Sequence, residues 1–269
     1  MAFSVGSSNL IDLGSPGISS YPFSMVGWFR VPDVNALLEL MELSDSGSND
    51  HHRLQWNGHL ANDYAAARSD DHNGGAVATS SITMTPNVWH HVAGVWVSST
   101  KRTVYLDGGN SGTSTVNRVF GSMDTLTVGE SSGSDDIDIA EIGVFDDELT
   151  TTEIALLAQG LPVLCLERTN LVKHLSCIRQ LNHPAWKAAA SHSGSLSVVN
   201  HPPIQYAQPG RSQIMPHRLP GPWRIEDQEL HARIAQQGEL LIGGAGGATA
   251  ELFITGVVAD DSTYGEVVA

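Results

Sequence analysis

The segment around residue 138 carries three carboxylates whose spacing could support acid–base chemistry. Asp136 and Asp138 are two residues apart, and Glu141 follows three residues later. Residues i and i+2 of a strand project from the same face, and a bulge can bring a further residue round to it. Retaining glycoside hydrolysis requires two carboxyl groups about 5–5.5 Å apart, one as nucleophile and one as proton donor. Because no aromatic cleft for a sugar accompanies these residues, we expect an exposed strand edge and no catalytic residues.

Two polar segments, residues 44–50 and 69–75, have the composition of acidic loops that could supply oxygen ligands to calcium. Their oxygen-bearing residues are Asp45, Asn49 and Asp50 in the first segment and Asp70, Asp71 and Asn73 in the second. Neither segment has the fixed ligand spacing of a dedicated calcium loop. We therefore expect solvated loops and assign no cofactor, with calcium as the alternative.

Cys165 and Cys177 are the only cysteines of the chain. Two cysteines are too few for a disulfide scaffold or a four-ligand zinc site. The simplest interpretation is two small thiols, buried or free. A disulfide between them, or between subunits, stays open at this point.

Length and composition limit the classes of function. The chain has 269 residues, with 14 basic against 29 acidic side chains and a formal net charge of −15. Lys and Arg are too few and too scattered to form a phosphate-binding patch, so we expect no nucleic-acid partner. Residues 1–14 contain neither a basic region nor an apolar run, and the apolar stretch 240–259 is interrupted by Glu251 and a cluster of glycines. We therefore expect no signal peptide and no membrane-spanning segment.

The spacing of apolar residues predicts an all-β front part of the chain. Short strand-like runs separated by polar turns fill residues 21–160, which is typical of a sandwich. Both faces of the run 89–97 are apolar, so we expect a central strand there. The apolar phase of residues 137–145 shifts near Ala140, which predicts a bulge.

Turn and cap signals complete this part. Asp107 and Gly108 predict a tight hairpin turn between two strands. Residues 150–159 have helical character, and Gly160 is a suitable C-terminal cap. These elements would bring the carboxylates of residues 136–141 into the sheet that precedes the helix.

Four segments together resemble one known family. They are FSMVGWFRVPD at residues 23–33, WHHVAGVWV at 89–97, RTVYLDG at 102–108 and LTVGESSGSDDIDIAEIGVFDDELTTTEI at 126–154. Their order and content are similar to the laminin-G-like, concanavalin A-like lectin/glucanase family, over roughly residues 1–160. The resemblance implies a jelly-roll sandwich of two antiparallel sheets. It also places Asp136 where glucanases of this fold carry a glutamate nucleophile, which argues against hydrolysis.

Three tryptophans lie in the strand-like runs of this part: Trp28, Trp89 and Trp96. Large aromatic side chains in such runs are expected between the sheets or at the rim of the sandwich. A sugar-stacking platform is the alternative interpretation. Core packing explains all three positions, so we favour it.

The rear part resembles a tail found in laminin-G-like proteins of phages and prophages. Residues 196–199, the sequence HPPI at 201–204 and Tyr206 match its ending, whereas residues 173–177 depart from its aromatic-proline stretch. The resemblance implies that these strands complete the sandwich, which gives a first domain of residues 1–206. Residues 207–269 would form a second segment of proline-rich arm, short helix (225–237) and β-hairpin (239–258).

The composition and the resemblance together favour a non-enzymatic virion protein of a phage, a capsid decoration protein whose jelly roll projects outward. The candidate partner-binding residues are Trp223 and Arg224 beside the arm and Leu252 and Ile254 in the hairpin, because Trp and Arg are frequent at hot spots and exposed apolar strands mark interfaces. The expected partners are the major capsid protein and further copies of the chain, as a homotrimer. The alternative is a glycan-binding module of a tail fibre or a secreted adhesin, and a glycoside hydrolase is the least favoured.

Overall fold

A computed structural model describes most of the front part of the chain and a few residues of the rear part. The described residues are 2–6, 9–32, 37–47, 50–57, 63–129, 136–166, 168–175, 177, 191–192, 196–200, 202–204, 251–252 and 267–268. The chain divides into two compact units, Met1–Gln205 and Tyr206–Ala269. Among the described residues, no helix has the length and apolar content needed to cross a membrane.

The first unit is an all-β sandwich of two antiparallel sheets, as the sequence predicts. The strands of the first sheet are β1 (Ala2–Val5), β3 (Phe23–Arg30), β8 (His90–Ser98), β9 (Lys101–Leu106), β10 (Gly109–Ser114), β12 (Ile137–Phe145), β13 (Leu171–Leu175) and β15 (Leu196–Val199). They run in the order β10-β9-β8-β3-β12-β1-β15, and β13 pairs with β12. The prediction that rear strands return to complete the sandwich is confirmed for β13 and β15, which pair with β12 and β1.

The second sheet packs against the first and has seven strands. They are β2 (Ile11–Asp12), β4 (Leu37–Ser44), β5 (His51–Asn57), β6 (Tyr64–Asp71), β7 (Gly74–Thr83), β11 (Thr125–Val128) and β14 (Ser191–His192). Their order is β14-β2-β11-β4-β5-β6-β7. The predicted loop 69–75 is wrong, because its residues end β6 and begin β7 around a turn of two residues, His72 and Asn73.

The space between the sheets is filled by large apolar side chains. Phe23 stacks on Trp96 with ring centroids 4.9 Å apart, and both side chains are buried. The indole nitrogen of Trp96 donates to the Ser69 hydroxyl at 2.9 Å, which satisfies its buried N–H. Fully burying side chains of this size contributes about 1.5–3 kcal/mol each. The predicted central strand is confirmed, since β8 lies between β3 and β9.

The helix α1 (Thr151–Ala158) covers part of the first sheet from outside. Thr150 caps it: the Thr150 hydroxyl accepts from the Glu153 amide, and the Glu153 carboxylate accepts from the Thr150 amide. A second apolar core lies beneath the helix and the 3₁₀ helix Val163–Leu166 that follows. Its buried members are Val26, Ala93, Val95, Phe145, Leu149, Ile154, Leu157, Val163 and Leu171.

The hairpin turn between β9 and β10 ties together two of the sequence motifs. Asp107 and Gly108 have φ values of 52° and 78°, as the predicted tight turn requires. The Asp107 carboxylate lies 2.7 Å from Nδ1 of His90 and accepts from the amide of His91 at 3.0 Å. The Thr85 amide donates to Nε2 of His90 at 2.9 Å, so this imidazole is held between two fixed partners. The histidine pair and the Asp-Gly pair therefore have a structural role: they hold the start of β8 against the turn between β9 and β10.

The second unit is described only at two short strands, β16 (Glu251–Leu252) and β17 (Val267–Val268), which pair antiparallel. Residues 251–252 belong to the later strand of the hairpin expected over residues 239–258, and they pair with residues 267–268, which the prediction did not include. The predicted earlier strand, residues 239–242, and the predicted helix 225–237 lie outside the described residues.

Candidate functional site

Glu141 stands at a bulge in β12, close to the predicted position. The register with β3 shifts between Ala140 and Gly143, and Glu141 has a φ of 49°. Its carboxylate accepts from the Val163 amide at 2.8 Å and lies 3.3 Å from Nε2 of His174. Glu141 is 2% exposed, because the 3₁₀ helix and β13 cover its carboxylate. A sugar therefore cannot reach this carboxylate.

The other two carboxylates of this segment lie elsewhere on the strand. Asp138 accepts from Nε of Arg30 at 2.6 Å, and Asp136 is exposed just before β12 begins. The expectation of an exposed strand edge is wrong, because β12 pairs with β3 on one side and with β1 and β13 on the other. The structure thus brings no two of the three carboxylates into one open cleft.

The carboxylates proposed for calcium stabilise turns or pair with arginine. Asp45 accepts from the Gly47 amide at 2.8 Å. Asp71 accepts from the amides of Asn73 and Val119 at 2.7 and 3.0 Å. Within the described parts of the chain, no three His, Cys, Asp or Glu side chains are grouped so that they could hold a metal ion. Asn49 lies outside those parts.

The tryptophans and cysteines are distributed between core and surface. Trp96 and Trp28 are buried, as core packing predicts, and Trp28 meets the ring of His91 edge-on. Trp89 is half-buried, with the Arg30 guanidinium 5.5 Å from its ring centre. Cys165 is exposed and Cys177 is buried, and the two do not form a disulfide with each other.

The outer face of the first sheet is covered. Besides α1 and the 3₁₀ helix, which cover part of it, residues 202–204 lie against the end of α1, and Pro202 and Ile204 are buried. Gly160, at the end of the helix, lies so close to this segment that a Cβ would be 2.2 Å from the carbonyl oxygen of Pro203. Glycine is required there both for that approach and for its φ of 96°.

The outer face of the second sheet has the opposite character. We call it the charged face, and it consists of Glu39 and Glu42 on β4, His51 and Arg53 on β5, and Arg68 and Asp70 on β6. Their side chains are 15–34% exposed. The members are therefore held in place and still meet solvent.

Strand alternation places these residues on one face. On β5, His52, Leu54 and Trp56 point into the core, which directs the intervening side chains outward. On β4, a register shift between Glu39 and Met41 turns both glutamates outward although they are three residues apart. Register then aligns Glu42 with Arg53 and Arg53 with Arg68 across the strands.

Ion pairs connect the charged face across its strands. Nε of Arg53 lies 2.9 Å from Glu42 and 3.2 Å from Glu39, and its Nη1 lies 3.7 Å from Asp70. Nε of Arg68 donates to Asp70 at 2.7 Å. Nδ1 of His51 lies 2.9 Å from the second oxygen of Glu42. Each carboxylate thus meets at least one positively charged or protonatable group.

Electrostatics favour the charged forms of Glu42 and Arg68. Burial raises the pKa of Glu42, but hydrogen bonds with Glu39 and His51 and the charge on Arg53 outweigh burial and lower it below its usual value. The hydrogen bond to Asp70 raises the pKa of Arg68. Gln55, on the same face, is 2% exposed, and its carboxamide nitrogen has no hydrogen-bond partner among the residues that the structure describes.

Sequence reasoning missed the charged face as a unit. Of its six members, the sequence analysis names only Asp70, as a calcium ligand. The available signal is the alternation of polar residues in HHRLQWN, which marks a strand with one polar side. YAAARSDD has no such alternation, because Ser69 and Asp71 face the core. The pairing register of the strands brings the charged residues together, and neither segment alone predicts that register.

Comparison with known proteins identifies the fold. A family model described as the concanavalin A-like lectin/glucanases superfamily matches residues 5–155. A native heptameric SAP-like pentraxin from Limulus polyphemus superposes with a TM-score of 0.54 at 13% identity, over 73% of this chain and 93% of that chain. No curated protein matches the sequence.

Receptor-binding domains of clostridial toxins are more distant matches. The binding domain of botulinum neurotoxin serotype G gives a TM-score of 0.44 at 15% identity, over 58% of this chain and 42% of that chain. The serotype D domain in complex with N-acetylneuraminic acid gives 0.46 at 16% identity, over 59% and 42%. This chain spans about two fifths of the length of those toxin chains.

Proposed function

The chain belongs to the concanavalin A-like lectin/glucanase superfamily, and from that premise we propose that its first unit is a non-enzymatic carbohydrate-binding module whose ligand lies on the charged face. The module would act at a particle surface or outside the cell. This is the glycan-binding alternative of the sequence analysis, now attached to particular residues.

The observation that carries the proposal is the hydrogen-bonding character of the charged face. A sugar hydroxyl both donates and accepts, and carboxylates accept while guanidinium groups donate. Arg53 is fixed by ion pairs with Glu39, Glu42 and Asp70 before any ligand arrives. Side chains held in one geometry lose less conformational freedom on binding, which favours affinity.

The carboxylates of β12 support a binding role without catalysis. The Glu141 carboxylate is buried beneath the 3₁₀ helix, where it accepts from the Val163 amide and contacts His174. The Asp138 carboxylate pairs with Arg30. A general acid must reach the glycosidic oxygen, and a buried carboxylate does not. We expect no release of reducing sugar from β-glucan, laminarin or agar. Release that disappears in Glu141→Gln would identify the protein as a hydrolase.

A glycan array probed with the full chain tests the binding role. We expect binding to a defined group of saccharides and a loss of about tenfold or more in Arg53→Gln, since hydrogen bonds to charged groups contribute about 1.5–3 kcal/mol. Lys101→Gln, which removes a positive charge from an exposed position on β9, should bind as the unchanged protein does. Absence of binding to every saccharide, by a protein with intact circular dichroism, would contradict the proposal.

A second candidate role, attachment to a virion, concerns the rear unit. The described part of the first unit ends at Ile204, beside Gly160 at the end of α1. Trp223, Arg224 and Ile254 lie outside the described residues, and Leu252 is described only as part of β16. A capsid-protein partner and a homotrimer stay predictions.

Addition of the full chain and a truncation at Tyr206 to particles that lack the protein tests this role. We expect occupancy by the full chain and none by the truncation. Equal occupancy would place the attachment surface in the sandwich.

A further inference from the structure

We propose that the charged face selects neutral saccharides and rejects anionic ones, and that Asp70 is the residue that enforces this choice. The inference rests on the proposed function, because it concerns the ligand of the same face. It names the ligand class as hydroxyl-rich and uncharged, which excludes sialylated, sulfated and uronic-acid saccharides.

The charge inventory of the face is the first argument. Three carboxylates, Glu39, Glu42 and Asp70, stand against two guanidinium groups, so the formal charge is −1 when His51 is neutral. In the register of β5, β6 and β7, the neighbouring outward positions add no charge. Those positions are Gln55, Tyr64, Ala66, Val77 and Thr79.

Both guanidinium groups are already neutralised. Arg53 lies within 4 Å of three carboxylates, and Arg68 holds Asp70 through Nε and Nη2 at 2.7 and 2.8 Å. A bidentate arginine fork is the usual partner of an anionic group, and here the protein's own aspartate occupies it. An anionic ligand would have to displace Asp70 and then lie beside a carboxylate that it has left unpaired.

The surrounding chain strengthens the discrimination. Residues 1–160 carry 20 acidic and 6 basic side chains. Their summed field repels an approaching anion and leaves an uncharged sugar unaffected. Selection therefore acts on encounter as well as on the bound state.

A neutral hydroxyl suits the polar groups that remain. Gln55 stands beside Glu39 and Ala66 in the cross-strand register, with its buried carboxamide nitrogen unpartnered within the described part of the chain. If a neighbouring side chain moved aside, the oxygen of a sugar hydroxyl could accept a hydrogen bond from this nitrogen. Such a bond would be favourable, because a buried donor without an acceptor destabilises the protein. Arg68 is the most exposed member of the charged face, at 34%, and is the side chain best placed to move.

Asp70 is the key position because it contacts both arginines. Its Oδ2 lies 2.7 Å from Nε of Arg68 and 3.7 Å from Nη1 of Arg53. Asp70→Asn removes the negative charge, retains the size of the side chain and leaves the Arg68 fork available. This variant should therefore gain anionic ligands, which a residue with a purely structural role would not do.

The test compares paired saccharides that differ only in a terminal sialic acid or a sulfate group. Calorimetric titration of the full chain at about 0.15 M salt should give a Kd at least about tenfold lower for the neutral member. Asp70→Asn should shrink or invert that ratio. Asp138→Asn, which breaks the comparable pair with Arg30 on the first sheet, should leave it unchanged. If Asp70→Asn fails to fold, Glu42→Gln replaces it, because Glu42 partners Arg53.

The outcomes separate this inference from the proposed function. Anionic saccharides that bind as tightly as neutral ones would overturn the selectivity and leave the carbohydrate-binding role standing. A neutral preference that neither Asp70→Asn nor Glu42→Gln alters would overturn the assignment to the charged face. Binding of a lysine-rich peptide and of no saccharide would overturn both.

Discussion

The two outer faces of the sandwich are built from the same strand alternation and differ in what the outward positions carry. On the part of the first sheet around Val26, Ala93 and Val95 those positions are apolar, and the chain covers them with α1 and the 3₁₀ helix. On the second sheet they are charged and paired across strands. An apolar outer face must be covered by the chain itself, whereas a charged one can remain at the surface and meet a ligand.

The position of Glu141 illustrates this difference. Its strand lies in the covered half of the molecule, and the bulge aims the carboxylate at the segment that covers it. There the carboxylate holds a backbone amide and a histidine in place. The same residue type on the second sheet, at Glu42, holds an arginine that faces solvent. Carboxylates therefore hold a buried segment in place on one face and hold a solvent-facing arginine in place on the other.

The largest expected effect is an acid-induced loss of stability that begins below pH 6.5 and gains a further contribution below pH 4.5. Burial lowers the pKa of His91 to about 4 and that of His52 to about 3, from an unfolded value near 6.5. Below pH 6.5 the unfolded chain binds protons that the folded chain does not, so stability falls with pH. Each histidine should cost roughly 3 kcal/mol by pH 4.5. The Glu42 pKa is lowered from 4.5, so its stabilisation is lost only below pH 4.5.

Urea unfolding at pH 7, 5.5, 4.5 and 3.5 checks this separation. His91→Gln should remove roughly half of the loss between pH 6.5 and 4.5, because His52 still titrates there. Glu42→Gln should reduce the loss only below pH 4.5. If Glu42→Gln changed the upper range, the carboxylates of the charged face would not be ionised as described.

Removal of the Glu141 carboxylate should give the next largest effect. Glu141→Leu leaves the Val163 amide and His174 without their buried partner, and such losses cost about 3–5 kcal/mol. Glu141→Gln should cost less, because its amide oxygen can still accept from Val163. Urea unfolding at pH 7 measures both. Equal stability of Glu141→Leu and the unchanged chain would show that this pair does not hold the cover in place.

The packing of residues 202–204 against the end of α1 can be tested at a glycine. Gly160→Ala brings a Cβ 2.2 Å from the Pro203 carbonyl oxygen and strains a φ of 96°. Gly14→Ala strains a φ of 68° with no atom within 4 Å, so it is the matched control. The Gly160 variant should lose about 1–2 kcal/mol more stability than the control. Equal losses would mean that the segment does not pack there.

The smallest expected effect on stability belongs to the charged face. Arg53→Gln removes the shared partner of three carboxylates but leaves them close to solvent, so the loss should be about 1–2 kcal/mol and should shrink with salt. Lys101→Gln should stay within about 0.5 kcal/mol of the unchanged chain. A loss for Arg53→Gln as large as that for Glu141→Leu would remove the distinction between the two faces.

The sequence predicts the elements whose signals are local. Strong apolar runs reveal β8 and β12, the phase shift near Ala140 reveals the bulge, and Asp107 with Gly108 reveals the hairpin turn. These signals fail for residues 69–75, where Ser, Asp, Asn and Gly suggest a loop. Ser69 bonds with Trp96 on β8 and Asp70 pairs with Arg53 on β5, so contacts from other strands determine the extended conformation.

The candidate site could not be predicted in the same way. The charged face is formed from three segments, and only the register of β4, β5 and β6 aligns Glu42 with Arg53 and Arg68. The carboxylates of residues 136–141 drew attention because they are close in sequence. Closeness in sequence placed them on one strand, while burial separated Glu141 from the others.

Amide chemical-shift mapping tests the central claim most directly. The isotope-labelled full chain is titrated with the neutral saccharide that binds best on the array. The account predicts that the largest shifts fall on His51, Arg53, Arg68 and Asp70, with Val26, Ala93 and Val95 unmoved. Saturable shifts that centre instead on the loops at the ends of the sandwich, or on the covered face, would contradict the assignment of the ligand to the charged face.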